Sequence, residues 1–348
     1  MPNPRTPSYT VAGAAIAALL GYVKARGLDL THELTPYGLT MEALLKPDFR
    51  VAVETAEALW VLAADRMKEP DFGLRFAALL DLDGFHLVGH LAASSTNVGQ
   101  AIDRVVEFSR LLHDAGRTEA ERIDGEVHLF PGCRGLPKAP PNQIAEFNTA
   151  STVVLIRFIT GRPEWKPNEV RFFHPAPADV RPHRALFGVA PKFSQPETEL
   201  VFSEKDLALP VRVSSPSRIG QYLESYARTL LGQLPEKHDD LRDQVLRALI
   251  SSLPTGGLTI EAAAQRLAMT PRTLQRRLAE TNDTFSQLVD EARLTTAQHY
   301  LADDKLTLGE ISYLLGFNEP STFHKAFRRW KGVPPGAWRE QALSAAVH

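Results

Sequence analysis

The chain has one cysteine in 348 residues, Cys133, so no disulfide can form within it. That fits a reducing cytosol, and Cys133 reads as a small unreactive residue beside a Pro-Gly turn. No apolar run is long enough to span a bilayer. Val11–Leu20 is Ala-rich but too short. It continues into Gly21-Tyr22-Val23-Lys24 with helical spacing, so a first amphipathic helix is expected rather than a signal peptide. Charge of one sign is not in excess. With 39 Lys/Arg and 41 Asp/Glu the net charge is −2, so the whole protein is not a polycation. Catalytic signatures are also missing: there is no Gly-x-Ser-x-Gly, His-Glu-x-x-His, P-loop or dinucleotide fingerprint. The many carboxylates form no persuasive pair. His86 and His90 are four residues apart, but no third ligand accompanies them and Gly89 weakens a helix there, so they read as structural. No catalytic residue, cofactor or metal is expected.

What is present is ordinary globular material, 44% hydrophobic and 23% charged, in a length that suggests at least two domains. Charge is unevenly placed. Residues 241–348 hold 13 Lys/Arg and 11 Asp/Glu, so the C-terminal part is mildly basic while the rest is acidic. Residues 10–114 read mostly helical, with helices over Val51–Arg66 and from Val98 to His113, the second capped by Thr96 or Asn97. From about Arg117 the pattern alternates. Glu126–Phe130 reads as a strand that stops at Pro131-Gly132, and Glu169–Phe173 and Glu199–Phe202 as further strands. Between them lie a long apolar-faced helix, Asn142–Thr160, and a short one, His183–Phe187. Residues 1–212 are thus expected to form an α+β unit. Residues 213–240 read as a polar break, a linker helix over Arg218–Gln233, and linker. Residues 241–348 read as short helices throughout.

This last region contains a repeat. Leu258–Met269 and Leu306–Phe317 align at an offset of roughly 48 residues. Leu258 answers Leu306, Ile260 answers Leu308, Ala263 answers Ile311, Leu267 answers Leu315, and Met269 answers Phe317. After one inserted residue, Leu274 and Leu278 answer Phe323 and Phe327. Each copy has the chemistry of a helix-turn-helix, over about 258–279 and 306–330. Thr259 and Thr307 stand at N-cap positions, and Thr307 with Glu310 makes a capping box. Ala264 and Ser312 are small where two helices must cross. Gly316 permits a left-handed turn. Thr270 caps the second helix of copy one, with Pro271 in its first turn, and Pro320 does the same in copy two.

The second helix of each unit is expected in the major groove. With Leu274 and Leu278 inward, Arg272, Gln275 and Arg276 share an outer face. Arg suits guanine O6/N7 and Gln suits adenine N6/N7. With Phe323 and Phe327 inward, Ser321, Thr322, His324 and Lys325 lie near the groove. Arg277, Arg328, Arg329 and Lys331 are placed for phosphates, which position a protein without reading sequence. A helix over Thr284–Leu301, with Thr284 and Gln287 as a further capping box, joins the copies. Its length of about 27 Å approaches the ~34 Å between successive major-groove faces. One chain can then read two adjacent grooves of double-stranded DNA.

These residues resemble the signature of the AraC/XylS family of transcription regulators. The matching residues are Ile311, Gly316-Phe317, Ser321, Phe323, Phe327-Arg328-Arg329, Gly332, Pro335 and Trp338-Arg339. Pro334 departs where Ser or Thr is usual, and Trp338 replaces the commoner Tyr. The N-terminal region is similar to the arabinose-binding-like effector domain of one branch of the family. The similarity lies in Gly84–Gly89, in Thr96 before a helix, and in Phe187–Phe193 followed by Leu200–Ser203 and Leu207–Pro210. The resemblance implies a cytoplasmic, ligand-responsive regulator, an activator contacting RNA polymerase, with a small-molecule effector that need not be arabinose. A homodimer is compatible with it. The alternative is an N-terminal domain that only dimerises or binds a protein partner. For the effector pocket the candidates are Arg157, a charge on an apolar helix that needs a partner, with Trp60, Phe108 and Phe147 lining an apolar cavity.

Overall fold

The computed structural model describes residues 9–114, 116–134, 140–212, 217–234, 241–253, 258–281, 283–301 and 306–345. The predicted linker stretches at 213–216 and 235–240, and the side chain of Cys133, lie outside the described residues.

The apolar start is not all helix. Thr10–Ala12 forms strand β1, which pairs antiparallel with β2 (Arg50–Ala52), Val11 opposite Val51. Asp114 fixes this ribbon by accepting from the Thr10 backbone N–H at 2.6 Å and from its hydroxyl at 2.8 Å. Helix α1 (Gly13–Ala25) follows, then α2 (Met41–Leu44), α3 (Val53–Met67) and α4 (Phe72–Ala78). Because Arg50–Ala52 is used as strand, α3 starts later than the predicted Val51. These helices bury Ile16, Leu19, Leu20, Leu59, Trp60 and Phe72 in one core.

Two helices come next, α5 (His86–Ala93) and α6 (Val98–Leu112). Of the two cap candidates for α6, Asn97 serves: its side-chain oxygen accepts from Gln100 N–H at 2.8 Å. Gly89 sits inside α5, contrary to its reading as a helix weakener. An added Cβ there would lie 2.1 Å from Phe85 Cβ, so the glycine admits the Phe85 side chain against the helix.

Four strands form an antiparallel sheet in the order β3-β4-β6-β5: β3 (Arg117–Ile123), β4 (Glu126–Arg134), β5 (Glu169–Arg171) and β6 (Glu199–Ser203). β4 does not stop at Pro131-Gly132 as expected. The register jumps there, from Glu119 opposite Phe130 to Arg117 opposite Arg134, and Gly132 takes a φ of 65°. The Pro-Gly pair marks a bulge, which lets the strand bend and continue. Helix α7 (Asn142–Thr160) covers the sheet, packing Ala150, Val153 and Ile156 on Val127, Leu129, Leu200 and Phe202. Gly73 of α4 touches α7 so closely that a Cβ would lie 2.1 Å from the Gln143 carbonyl oxygen. Helix α8 (Arg181–Phe187) begins two residues before the predicted His183.

The predicted linker helix is α9 (Ser217–Gln233), and it is docked rather than free. Its Ala227 is fully buried with Val88 and Leu91 of α5 and Phe108 of α6. Arg104 of α6 donates to Glu224 at 2.8 Å, and Arg228 pairs with Glu107 and Glu224.

The remaining helices are α10 (Leu241–Ser252), α11 (Ile260–Arg266), α12 (Pro271–Glu280), α13 (Phe285–Leu301), α14 (Leu308–Leu314), α15 (Pro320–Lys331) and α16 (Pro335–Ala345). They form two cores. One holds Val245, Ala264, Leu274, Leu278, Leu288 and Ala292; the other holds Leu253, Ala297, Leu301, Ile311, Phe323 and Phe327. The N-terminal half of α13 belongs to the first and its C-terminal half to the second. The fold is the expected one, an α+β region followed by an all-α region with two helix-turn-helix units on a long helix.

Candidate nucleic-acid interface and ligand cavity

The two units are built by matching local rules. Thr259 accepts from Ala262 N–H and Thr270 from Thr273 N–H, each at 3.2 Å. Thr307 and Glu310 form the reciprocal box, with Thr307 N–H donating to Glu310 Oε2 at 2.7 Å. These bonds hold the Glu310 carboxyl below the usual range. Thr284 and Gln287 do the same at the start of α13. The turns also coincide. Met269 N–H reaches the Ala264 carbonyl at 2.8 Å, and Phe317 N–H reaches that of Ser312 at 3.0 Å. Ala264 and Ser312 are both fully buried, which the close crossing of the two helices requires.

Burial sorts the faces of α12 and α15. Leu274, Leu278, Phe323 and Phe327 are at most 1% exposed. Arg272, Gln275, Arg276 and Arg277 are exposed on α12; Ser321, Thr322, Lys325, Arg328, Arg329 and Lys331 are exposed on α15, with His324 partly covered. Several of these already have partners. Arg276 sits 3.9 Å from Glu280, Ser321 donates to Glu319, and Arg329 is ion-paired to Asp290 of α13 at 2.6 Å. All are solvent-exposed contacts, worth little enough for a phosphate to displace.

Arg293 was not foreseen. It leaves α13 to donate to the carbonyls of Leu315 and Gly316, each at 3.1 Å, and lies over the Phe317 ring at 4.1 Å. It thereby fixes the second unit's turn to the connecting helix. Burial lowers its pKa. The sequence signal was an arginine on the inward side of α13, which its weak amphipathicity hid.

In the N-terminal region a cavity of about 210 Å³ opens between α1, α3, α5, α6, α7 and the β4 bulge. Trp60 and Phe147 line it, as does the Gly84–Gly89 motif through Gly84, Phe85, His86, Val88 and Gly89. Burial, with neighbouring His90, lowers the pKa of His86. Phe108 is not in the lining. It is fully buried on the α9 side of α6, with the Arg228 guanidinium 5.5 Å from its ring centre. Arg157 is elsewhere too. It finds its partners in backbone carbonyls, donating to Trp165 and Leu186 at 2.7 Å each. Among the described residues no helix is long and apolar enough to cross a membrane.

A duplicated helix-turn-helix with cationic outer faces, joined to a region that encloses a cavity, defines a DNA-binding regulator with a sensor-type partner domain. Comparison with known proteins agrees. Residues 27–211 match the arabinose-binding domain of AraC transcription regulators, and residues 263–341 match a helix-turn-helix domain. The chain belongs to the AraC family of DNA-binding transcription regulators. It is 30% identical over 324 residues to the ornithine utilization regulator of Pseudomonas aeruginosa, covering 93% of this chain and 94% of that one. It is 29% identical over 280 residues to the regulator VirS of Mycobacterium tuberculosis, 78% of each chain. The crystal structure of the regulator CdpR from Pseudomonas aeruginosa superposes on 97% of this chain and 100% of that one, at 19% identity and a TM-score of 0.43.

Proposed function

We propose that the chain is a ligand-responsive activator in which residues 1–212 sense a small molecule and residues 241–348 read two adjacent major grooves. In this reading Arg272, Gln275 and Arg276 on α12, and Ser321, Thr322, His324 and Lys325 on α15, meet base edges. Arg277, Arg328, Arg329 and Lys331 meet phosphates. The protein acts in the cytoplasm, performs no catalysis and contacts RNA polymerase when bound upstream of a promoter. A homodimer would place four reading helices on one operator.

One observation supports the coupling above all. Val88 and Val105 line the cavity and also pack in the apolar cluster that holds Ala227 and Leu223 of α9. A single layer of side chains separates the effector's space from the helix that leads to the DNA-reading part. A ligand that shifts this layer shifts α9, and by reciprocity DNA binding changes ligand affinity equally.

Selection of duplexes from a random library by the full-length protein tests the reading. A preferred sequence protected over two major-groove faces about 34 Å apart is expected. Equal affinity for selected and random duplex would sink it. If binding is specific but no small molecule changes it or the melting temperature, the N-terminal region only dimerises or binds a protein.

A further inference from the structure

We infer that the cavity takes a largely hydrocarbon molecule with no anionic group and at most one polar end, not a sugar, an amino acid or a carboxylate metabolite. This rests on the sensing role proposed above and names the class of molecule sensed.

The space, about 210 Å³, is the share of roughly seven liquid waters. One wall is aromatic: Trp60, Phe76 and Phe147 stand 4.9–5.7 Å apart, ring to ring. Three hydroxyls of the lining donate within their own helices. Ser109 donates its hydroxyl to the Val106 carbonyl at 3.1 Å. Ser151 and Thr152 both donate theirs to the Asn148 carbonyl, at 3.0 and 2.9 Å. A sugar would bring several hydroxyl oxygens to a mostly apolar surface on which these three donors are already turned back into their helices.

Charge points the same way. Among the described residues no lysine or arginine lines the cavity, and the one carboxylate is Glu57. Burial disfavours the charged form of His86. A ligand carboxylate would leave water without meeting a cationic side chain of the described lining. Polar atoms do gather at one corner. A Cβ added to Gly132 would lie 2.6 Å from His113 Nε2 and 3.2 Å from Asn148 Nδ2. That corner, opened by the β4 bulge, is the polar end of the cavity.

The test uses the full-length protein and a neutral fluorophore, N-phenyl-1-naphthylamine, displaced by matched ten-carbon probes at pH 8. 1-Decanol is expected to displace the dye and raise the melting temperature. Decanoate should be at least tenfold weaker, and L-arabinose and L-ornithine should do neither. Energy transfer from protein to dye, corrected for the fraction of dye bound, should fall in Trp60→Phe and stay unchanged in Trp165→Phe, a tryptophan outside the lining, which places the probe in this cavity. Decanoate binding as tightly as decanol, or arabinose or ornithine binding in preference, overturns the class while leaving the sensing role intact. Unchanged energy transfer in Trp60→Phe overturns it too, since the dye then sits elsewhere. If neither dye nor any probe binds, the inference falls, and the sensing role falls with it if DNA binding also ignores small-molecule cell extracts.

Discussion

Ala268 and Gly316 occupy the same place in the two repeat units and share a left-handed backbone, with φ of 51° and 70°. Only glycine adopts that conformation without steric cost. A Cβ there costs about 1–2 kcal/mol, and glycine's greater freedom when unfolded takes back about 0.4–1. Ala268→Gly is therefore expected to stabilise the protein by roughly 0.5–1 kcal/mol and Gly316→Ala to destabilise it by a similar amount. Urea unfolding followed by circular dichroism measures both. A stabilising Gly316→Ala would show that the turn relaxes.

The outer faces of α12 and α15 carry two kinds of contact, and they separate by mutation. Arg276→Ala is expected to lose about 1–3 kcal/mol on the best duplex and to relax preference at one position. Arg328→Ala should weaken all duplexes alike and lower the dependence of affinity on salt. Equal losses of Arg276→Ala on cognate and random DNA would mean that this side chain does not read bases.

Arg293 should matter to DNA binding although it belongs to neither reading face. Arg293→Lys keeps the charge but cannot hold both turn carbonyls or stack flat on Phe317. The expected loss is about 1.5–3 kcal/mol of stability, with weaker specific DNA binding. Unfolding curves indistinguishable from the parent would show that the turn is held without it.

Glu224 ties α9 to α6. Hydrogen bonds from Arg228 and Arg104 hold its carboxyl below the ordinary 4.5. The folded state thus keeps the carboxylate longer than the unfolded one. The stabilisation is complete above the ordinary value and is lost as pH falls through the folded one. Glu224→Gln should reproduce that loss at neutral pH. Effector affinity should change little, while the effector's influence on DNA binding should fall severalfold. If that influence is unchanged, α9 does not carry the signal.

His86 titrates the other way from a free imidazole gaining a partner. Its pKa is lowered by burial and by His90, so the unfolded chain binds its proton first as pH drops below 6.5. Stability from this group is present above that value and declines as pH falls through the folded one. His86→Gln should flatten the pH dependence of the melting temperature below pH 6.5. A slope that persists unchanged belongs to other groups.

The C-terminal half was legible because its rules are local. Thr259, Thr270, Thr284 and Thr307 cap helices through bonds spanning three residues, and Leu274/Leu278 and Phe323/Phe327 repeat at four. The N-terminal half is held by contacts of long range. Asp114 binds Thr10 across 104 residues, so a strand could not be read at Val11. Phe108 and Trp60 look alike in sequence, but α9, more than a hundred residues past Phe108, covers one and not the other. Pro131-Gly132 gave a true backbone signal that fits both a strand's end and its bulge. Arg157 asked for a partner and found two carbonyls, a solution that leaves no trace in side-chain pattern.

The connecting helix α13 lends Leu288 and Ala292 to one core, and Ala297 and Leu301 to the other. The duplication therefore cannot be undone by cutting. A scission anywhere along α13 strips a wall from at least one module, so this region should survive proteolysis as one resistant piece or not at all. Insertions that lengthen one copy are tolerable only in the turns and loops on either side of that shared rod.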